Sequence, residues 1–185
     1  MRIAVYTGSF DPLHIGHLAI LERLSTTRAF DWVYLVISPQ NPFKDPSKAL
    51  SAERRYRAAV EAVRRHPELH VWVDNIELEM PAPHYTIRTL DALREREPGN
   101  EFTLVIGADN LENFSNWRNA PRILREYGIV VYPRRGYDAP ALRDRLLAED
   151  PAYKIELIDA PMVDISSTQI REMSARGEDP SKYLM

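Results

Sequence analysis

The stretch TGSFDPLHIGHL at residues 7–18 decides the fold, because it joins an apolar run at 3–6 to a helical pattern at 15–24. A strand, a glycine-containing turn and a helix start, in this order, form the first half of a βαβ unit. Gly8 lets the backbone come close to a ligand, and the first N–H groups of the helix attract an anion. The stretch therefore predicts a phosphate-binding loop directly after the first strand.

The same alternation of short apolar runs and helical patterns continues along the chain. Further strands are predicted at 32–38, 71–73, 102–106, 129–132 and 155–158, and further helices at 52–65, 87–96, 122–126, 141–149 and 168–176. Such a chain folds most simply as an α/β protein with a Rossmann-like, doubly wound parallel sheet. We expect a single domain over residues 1–185, with its ligands at the carboxyl ends of the strands.

The composition is that of a compact folded protein, with 44% apolar and 28% charged residues. Its 24 Lys and Arg against 27 Asp and Glu give a net charge of −3, so no global positive field would attract nucleic acid. The absence of cysteine rules out thiolate ligands and cysteine-based catalysis and suits a reducing compartment. With no export signal and no apolar run near the ~20 residues that span a bilayer, we expect a cytoplasmic protein without nucleic-acid or membrane partners.

His14 and His17 are one helical turn apart and should share a face at the start of the first helix. Two imidazoles in that place can donate hydrogen bonds to one phosphate group as negative charge develops on its oxygens. Gly16, between them, has no side chain to block the approach. A lone histidine is more often a surface or capping residue, but a pair at this position favours a catalytic role.

A second candidate anion site is DISSTQIR at residues 164–171, after the last predicted strand. Its hydroxyl groups could simply cap the first turn of a helix. Free N–H groups, three hydroxyls and the planar guanidinium of Arg171 could also bind phosphate. Together with the first loop, this segment predicts a clamp for a triphosphate.

Both motifs resemble those of the HxGH nucleotidyltransferase superfamily: GSFDPLHIGH matches its GSFDPxHxGH signature and ISSTQIR its ISSTxIR signature. The resemblance implies that both histidines contact the phosphates of a nucleoside triphosphate and that the second motif binds the triphosphate from the opposite side. The HIGH tetrapeptide at 14–17 also matches class I aminoacyl-tRNA synthetases. A chain of 185 residues has no room for a tRNA-binding region, and it has no KMSKS-like string.

Three further segments are similar to nicotinate mononucleotide adenylyltransferases: YTIRTL at 85–90, GAD at 107–109 followed by Trp117, and PRRG at 133–136. They resemble that family's SYTxxTL, GxD…W and RPG motifs, with His84 in place of serine and Arg135 in place of proline. Members of the family stack the tryptophan on the nicotinate ring and bind ribose with the aspartate. From the residues alone, Tyr85 and Trp117 could be core or rim aromatics and Asp109 a helix cap.

Lys44 follows the second strand in a proline-rich loop, where related enzymes carry a lysine or arginine that contacts the transferred phosphates, often after a histidine that is Phe43 here. The resemblance thus implies the catalytic residues His14, His17, Lys44 and Arg171. The implied ATP-binding residues are Gly8, Ser9, Phe10, His14, His17, Gly107, Asp109, Ile165, Ser166, Ser167, Thr168 and Arg171. The implied acceptor-binding residues are Lys44, Tyr85, Thr86, Trp117 and Arg134.

The reaction that the resemblance implies is in-line attack of an acceptor phosphate on the α-phosphorus of ATP, with pyrophosphate leaving. Nicotinate mononucleotide is the favoured acceptor, giving nicotinate adenine dinucleotide. Mg²⁺ is expected with ATP, held largely by the nucleotide and water, since the sequence shows no dedicated carboxylate cage. No tightly bound transition metal is expected, because the other histidines, His66, His70 and His84, form no zinc-ligand pattern. The alternatives are transfer to nicotinamide mononucleotide, phosphopantetheine or glycerol phosphate, and a non-catalytic nucleotide-binding regulator.

Overall fold

The computed structural model describes residues 1–39 and 47–185. The strands are β1 (Arg2–Gly8), β2 (Trp32–Ile37), β3 (Val71–Asp74), β4 (Glu101–Gly107), β5 (Ile129–Tyr132) and β6 (Ile155–Leu157). The α-helices are α1 (Ile15–Thr26), α2 (Ser47–Arg64), α3 (Ile76–Glu79), α4 (Thr86–Arg96), α5 (Ala108–Glu112), α6 (Ala120–Arg122), α7 (Ala139–Glu149) and α8 (Ser167–Ala175). A π-helical turn covers Ile123–Tyr127, and short 3₁₀ turns cover Phe114–Asn116 and Ser181–Tyr183.

All six strands are parallel, in the order β3-β2-β1-β4-β5-β6. The chain moves outward from β1 to β3 and then returns to place β4 on the other side of β1. In a doubly wound sheet, ligands bind in the crevice outside the carboxyl ends of the strands where this reversal occurs. The predicted Rossmann-like fold is confirmed, and the loop after β1 lies at the switch point.

The sheet is covered on both faces, as a parallel sheet requires. Successive residues of β1 alternate between two apolar clusters, because side chains on a strand point to opposite faces. Ile3 and Val5 pack with α4 and α5, and Ala4 and Tyr6 pack with α1 and α2. No helix in the described part of the chain is long and apolar enough to cross a membrane.

All six predicted strands are present, but two short helices, α3 and α5, were not predicted. Helices of four or five residues are too short to show a helical period. The helix predicted at 122–126 is mostly a π turn, in which the Gly128 N–H donates to the Ile123 carbonyl at 2.8 Å. Gly128 has a φ of +78°, in the left-handed region that favours glycine.

Glu77, on α3, is a buried carboxylate that joins the end of β2 to α4. Its Oε1 accepts a hydrogen bond of 2.8 Å from the hydroxyl of the fully buried Thr89. Burial raises the pKa of Glu77, and hydrogen bonds from the Ser38 and Thr89 hydroxyls and the nearby His84 oppose that rise. Thr89, which belongs to the YTIRTL segment, therefore stabilises the α3–α4 packing rather than facing a ligand.

The raised pKa of Glu77 predicts a pH-dependent stability. The folded state holds this proton more tightly than the unfolded state does, so the stabilisation is complete below the ordinary value of 4.5 and is lost as pH rises through the folded value. Glu77→Gln cannot titrate but keeps an acceptor for Thr89. As pH rises above the ordinary value of 4.5, the unfolding free energy of wild type should therefore fall relative to that of Glu77→Gln.

Urea denaturation of both proteins at each pH measures the difference. Glu79→Gln, which removes an exposed carboxylate from the same helix, is the matched control. A wild-type-to-Glu77→Gln difference that does not vary with pH would contradict the prediction.

Candidate active site

The start of α1 is capped by the two histidines of the first motif. His14 is the N-cap, and its Nδ1 accepts a hydrogen bond of 3.1 Å from the Gly16 N–H. His17 returns the contact, because its Nδ1 accepts from the His14 N–H at 3.2 Å. Histidine here fills both side-chain positions of a capping box, which usually needs a hydroxyl and a carboxylate or amide. The two rings lie 3.7 Å apart, centre to centre.

These caps decide which ring nitrogen carries the proton. In each neutral imidazole one nitrogen accepts and the other donates, and Nδ1 is the acceptor in both rings. The proton of each ring therefore lies on Nε2. His14 and His17 are held as a pair of neutral donors, and each can donate its Nε2–H to a phosphate oxygen.

The surroundings keep both rings neutral. Burial, with the positive charge of Arg134, lowers the pKa of His14 to about 4. Burial, then His14 and Arg134, lowers the pKa of His17 to about 3. Two imidazolium ions this close would repel each other, and their desolvation would be costly.

The glycines of the first motif leave room for neighbouring rings. A Cβ on Gly16 would lie 2.9 Å from Nδ1 of His14, so only glycine allows the ring to cap the helix. A Cβ on Gly8 would lie 3.0 Å from the ring of Phe10. Phe10 is buried with a φ of +46°, and its ring packs edge-on against Tyr6 and His17. Its side chain therefore supports His17 from the core, and its backbone is the part that an ATP phosphate could meet.

The second motif packs directly on the first. The Ser167 hydroxyl donates to the carbonyl of Pro12 at 2.9 Å, and Nη1 of Arg171 donates to the carbonyl of Asp11 at 2.6 Å. Arg171 also donates to the Thr168 hydroxyl at 3.2 Å. The two ends of the sequence thus meet at the switch point of the sheet, as the clamp prediction requires.

Ser166 and Gln169 form a second capping box at the start of α8. The Ser166 hydroxyl accepts from the Gln169 N–H at 3.2 Å, and the Ser166 N–H donates to Oε1 of Gln169 at 2.8 Å. The capping interpretation of this motif is therefore correct for Ser166. It does not exclude phosphate binding, since Ser167 and Arg171 project toward the first loop instead.

A cavity of about 450 Å³ lies between the two motifs. Among its lining residues are five candidates from the sequence: His17, Asp109, Arg134, Ile165 and Ser166. Nε of Arg134 lies 3.7 Å from Oδ1 of Asp109, which is buried and has no hydrogen-bond partner among the described residues. A Cβ on Gly107 would collide with this Asp109 oxygen, so glycine at position 107 leaves room for the carboxylate. Arg134, predicted with the acceptor residues, thus lies among the ATP candidates.

The other acceptor candidates lie outside this cavity lining. Tyr85 is exposed and is the N-cap of α4, and its side chain makes no capping hydrogen bond to the helix. Trp117 is half-buried against Phe114, with 4.8 Å between ring centres. The Arg118 guanidinium lies 5.5 Å from the Tyr85 ring centre and so links the two segments. Lys44 and Phe43 lie outside the described residues.

Two side chains at this end of the sheet were not predicted. Gln169 could have been found from the Ser-x-x-Gln spacing of a capping box. Arg55 could not, because it lies in the regular pattern of α2 and its contacts are with the distant Ser9 and Ser38.

The fold and the two joined motifs define a nucleotidyltransferase, and the model of the cytidylyltransferase-like family matches residues 5–173. The chain is 36% identical over 185 residues to a "Probable nicotinate-nucleotide adenylyltransferase" of Cytophaga hutchinsonii, covering 100% of this chain and 91% of the relative. It is 38% identical over 184 residues to the protein of that name from Porphyromonas gingivalis, covering 100% and 89%. The chain therefore belongs to the nicotinate-nucleotide adenylyltransferase family.

A solved structure supports the fold independently. Plasmodium falciparum nicotinic acid mononucleotide adenylyltransferase, complexed with NaAD, superimposes with a TM-score of 0.78. The match covers 99% of this chain and 90% of that chain at 20% sequence identity. The arrangement of strands and helices is thus shared across a large divergence in sequence.

The capping geometry predicts the state of both histidines in solution. At neutral pH we expect both rings to be uncharged, with the proton on Nε2. His14 should gain a second proton at about pH 4, and His17 at about pH 3. Long-range ¹H–¹⁵N spectra recorded across a pH titration measure both properties, and His14→Ala and His17→Ala assign the signals. A midpoint near the ordinary 6.5, or a proton on Nδ1, would refute this description.

Proposed function

We propose that the chain transfers AMP from ATP to nicotinate mononucleotide, giving nicotinate adenine dinucleotide and pyrophosphate. The observation that carries the proposal is the direct contact between the two phosphate motifs, through Ser167 to Pro12 and Arg171 to Asp11. We take residues 1–185 as one nucleotidyltransferase domain. We also propose a cytoplasmic location, because ATP is an intracellular substrate.

The proposed triphosphate lies between the starts of α1 and α8. The Nε2–H groups of His14 and His17 donate to the phosphate oxygens, where charge grows as the acceptor attacks. Arg171 supplies a permanent positive charge, and Lys44 is proposed to contact the transferred phosphate. The chain provides positioning and charge stabilisation, and neither attack nor departure needs a covalent protein intermediate.

The adenosine part of ATP is proposed to occupy the 450 Å³ cavity. Oδ1 of Asp109, which has no hydrogen-bond partner in the described part of the chain, is an acceptor suited to ribose hydroxyls. The guanidinium of Arg134 lies over the Tyr132 ring at 5.1 Å and is well placed for a stacked base or a phosphate. We therefore include Arg134 with the ATP-binding residues rather than with those for the acceptor.

Enzymes of this family generally use a divalent metal ion, and we propose Mg²⁺. Among the described residues, no group of three or more His, Cys, Asp or Glu is arranged to hold a metal. Asp11 and Asp109 lie near the motifs, but each faces an arginine, at 4.0 Å and 3.7 Å. This donor set fits an ion that arrives with ATP and takes most of its ligands from phosphate oxygens and water, as Mg²⁺ does.

The acceptor is proposed to bind at the start of α4. The first N–H groups of that helix receive no cap from the Tyr85 side chain, so they can donate to a carboxylate. Trp117 offers an aromatic face for the pyridine ring. The names of the relatives favour nicotinate mononucleotide over the other acceptors, namely nicotinamide mononucleotide, phosphopantetheine and glycerol phosphate. Nucleotide binding without turnover would favour the non-catalytic regulator.

Acceptor choice tests the proposal most directly. An amide would turn its NH₂ toward backbone donors that a carboxylate satisfies, at a cost of about 1–3 kcal/mol, or roughly tenfold or more in kcat/KM. Steady-state pyrophosphate release measures kcat/KM for the nicotinate and nicotinamide mononucleotides.

Trp117→Ala should weaken the binding of both acceptors equally, since stacking does not sense the substituent on the ring. Trp72→Ala, which removes an exposed tryptophan on β3, is the control and should affect neither acceptor. Equal wild-type values would exclude nicotinate selectivity and leave adenylyl transfer intact.

The histidine pair gives a second test. His17→Ala removes one donor to the developing charge and should lower kcat by roughly 10²–10³-fold with the fold retained. His70→Ala, an exposed histidine at the opposite end of the sheet, controls for loss of an imidazole. Single-turnover rates and circular dichroism of both variants measure the effect, and a near-native rate for His17→Ala would end its catalytic assignment.

A further inference from the structure

Arg55, on α2, is a buried arginine at the carboxyl end of the sheet, with 4% of its surface exposed. Its Nη1 donates to two backbone carbonyls, that of Ser9 at 2.5 Å and that of Ser38 at 3.0 Å. Ser9 belongs to the phosphate loop after β1, and Ser38 follows β2. One guanidinium nitrogen therefore holds together the ends of the two strands beside the switch point.

The guanidinium is a buried positive charge that forms no ion pair with a residue in the described ranges. Nε and Nη2 have no hydrogen-bond partner among the described residues. Burial lowers the pKa of Arg55, and the nearby Asp11 carboxylate opposes this shift. Burying a guanidinium under such conditions is costly, and a neutral side chain would pack there more easily. A buried charge beside the phosphate loop instead favours an anion in that loop.

The bond to Ser9 also sets the direction of a neighbouring donor. In a trans peptide, the carbonyl oxygen and the following N–H point to opposite sides of the chain. Because Arg55 holds the Ser9 oxygen on the α2 side, the Phe10 N–H points to the other side. Within the described part of the chain, this N–H has no acceptor. Loss of Arg55 would remove this hydrogen bond and leave the Ser9 oxygen freer to turn toward an incoming phosphate, which it would repel.

The loop needs such support, because Phe10 adopts a left-handed φ of +46°. A non-glycine residue keeps this conformation only where its surroundings fix it. The buried ring of Phe10 fixes one end, through its contacts with Tyr6 and His17. The Arg55 bond fixes the peptide immediately before it.

We propose that Arg55 is a positioning residue of the triphosphate site, which fixes the Ser9–Phe10 peptide and supplies a buried positive charge behind the phosphate loop. It acts through the loop and is not itself required to touch ATP. This inference rests on the proposed adenylyl transfer. It extends that function by assigning a helix outside both sequence motifs to ATP binding.

Arg55→Met keeps the approximate volume and removes every donor, whereas Arg55→Lys keeps the charge and one donor group. Arg54→Met is the matched control, because Arg54 is the exposed neighbour on the same helix. The readouts are the Kd for ATP by calorimetry, kcat and KM for each substrate, and the midpoint of thermal unfolding. Adding millimolar guanidinium chloride to Arg55→Ala, against sodium chloride at equal ionic strength, tests chemical rescue.

For Arg55→Met we expect kcat/KM for ATP to fall by about 10²-fold, the scale for a displaced site element, with KM for the acceptor nearly unchanged. Arg55→Lys should lie between this variant and wild type, and guanidinium should restore part of the ATP affinity of Arg55→Ala. If Arg55→Met is not recovered folded, Arg55→Lys and the guanidinium rescue of Arg55→Ala test the proposal instead. The criterion is the same: the effect on ATP must be larger than the effect on KM for the acceptor.

The proposal would be overturned if ATP affinity and turnover of Arg55→Met equalled those of Arg54→Met. It would also be overturned by equal losses for ATP and acceptor without rescue, since that is the result of a merely structural residue. The Kd for ATP is measured without acceptor. If the wild type bound ATP but did not turn over nicotinate mononucleotide, the proposed function would be refuted. The ATP affinities of the variants would still test the role of Arg55.

Discussion

The hydrogen bond from the Gly16 N–H to Nδ1 of His14 is the interaction on which the site depends. It satisfies a free donor at the start of α1, so the catalytic candidate is also the residue that begins the helix. It fixes the ring in its Nε2–H form and brings His17 into the reciprocal cap. Gly16 is required for this geometry, because any Cβ would strike the His14 ring. Helix stability and histidine orientation are therefore one constraint.

The sheet topology explains why so much of the polar chemistry gathers in one place. Because the direction in which strands are added to the sheet reverses between β1 and β4, a crevice opens at the carboxyl ends of these two parallel strands. The second motif, about 150 residues later in the sequence, fills one side of this crevice by bonding to the carbonyls of Asp11 and Pro12. The buried polar atoms without described partners include those of Arg55 and Asp109, and both residues lie at this end of the sheet. Such groups reduce stability and mark the places where a polar ligand would compensate for them.

Local sequence was sufficient for the strands and for the two motifs. Buried strands such as β5 consist of β-branched and aromatic residues, and the motifs are contiguous strings whose residues remain neighbours after folding. Contacts between distant segments could not be predicted in this way. The Glu77–Thr89 pair joins two helices, and Arg55 joins α2 to two loops. In the sequence, these residues look like ordinary helix residues, and their spacing gives no sign of the contacts. The position of Arg134 followed from the path of the loop after β5, which its sequence does not specify.

In the proposed site, the permanently charged arginines and the neutral histidines have different roles. A guanidinium keeps its charge at every physiological pH, so Arg134 and Arg171 attract a polyanion before any chemistry occurs. The charge of Arg134 also helps burial to lower the pKa of His14 and His17, which keeps them as uncharged donors. An uncharged donor binds the ground-state triphosphate less strongly than an imidazolium would. Its contribution therefore grows mainly as negative charge develops on the transferred phosphate, which is the condition for lowering a barrier rather than only tightening binding.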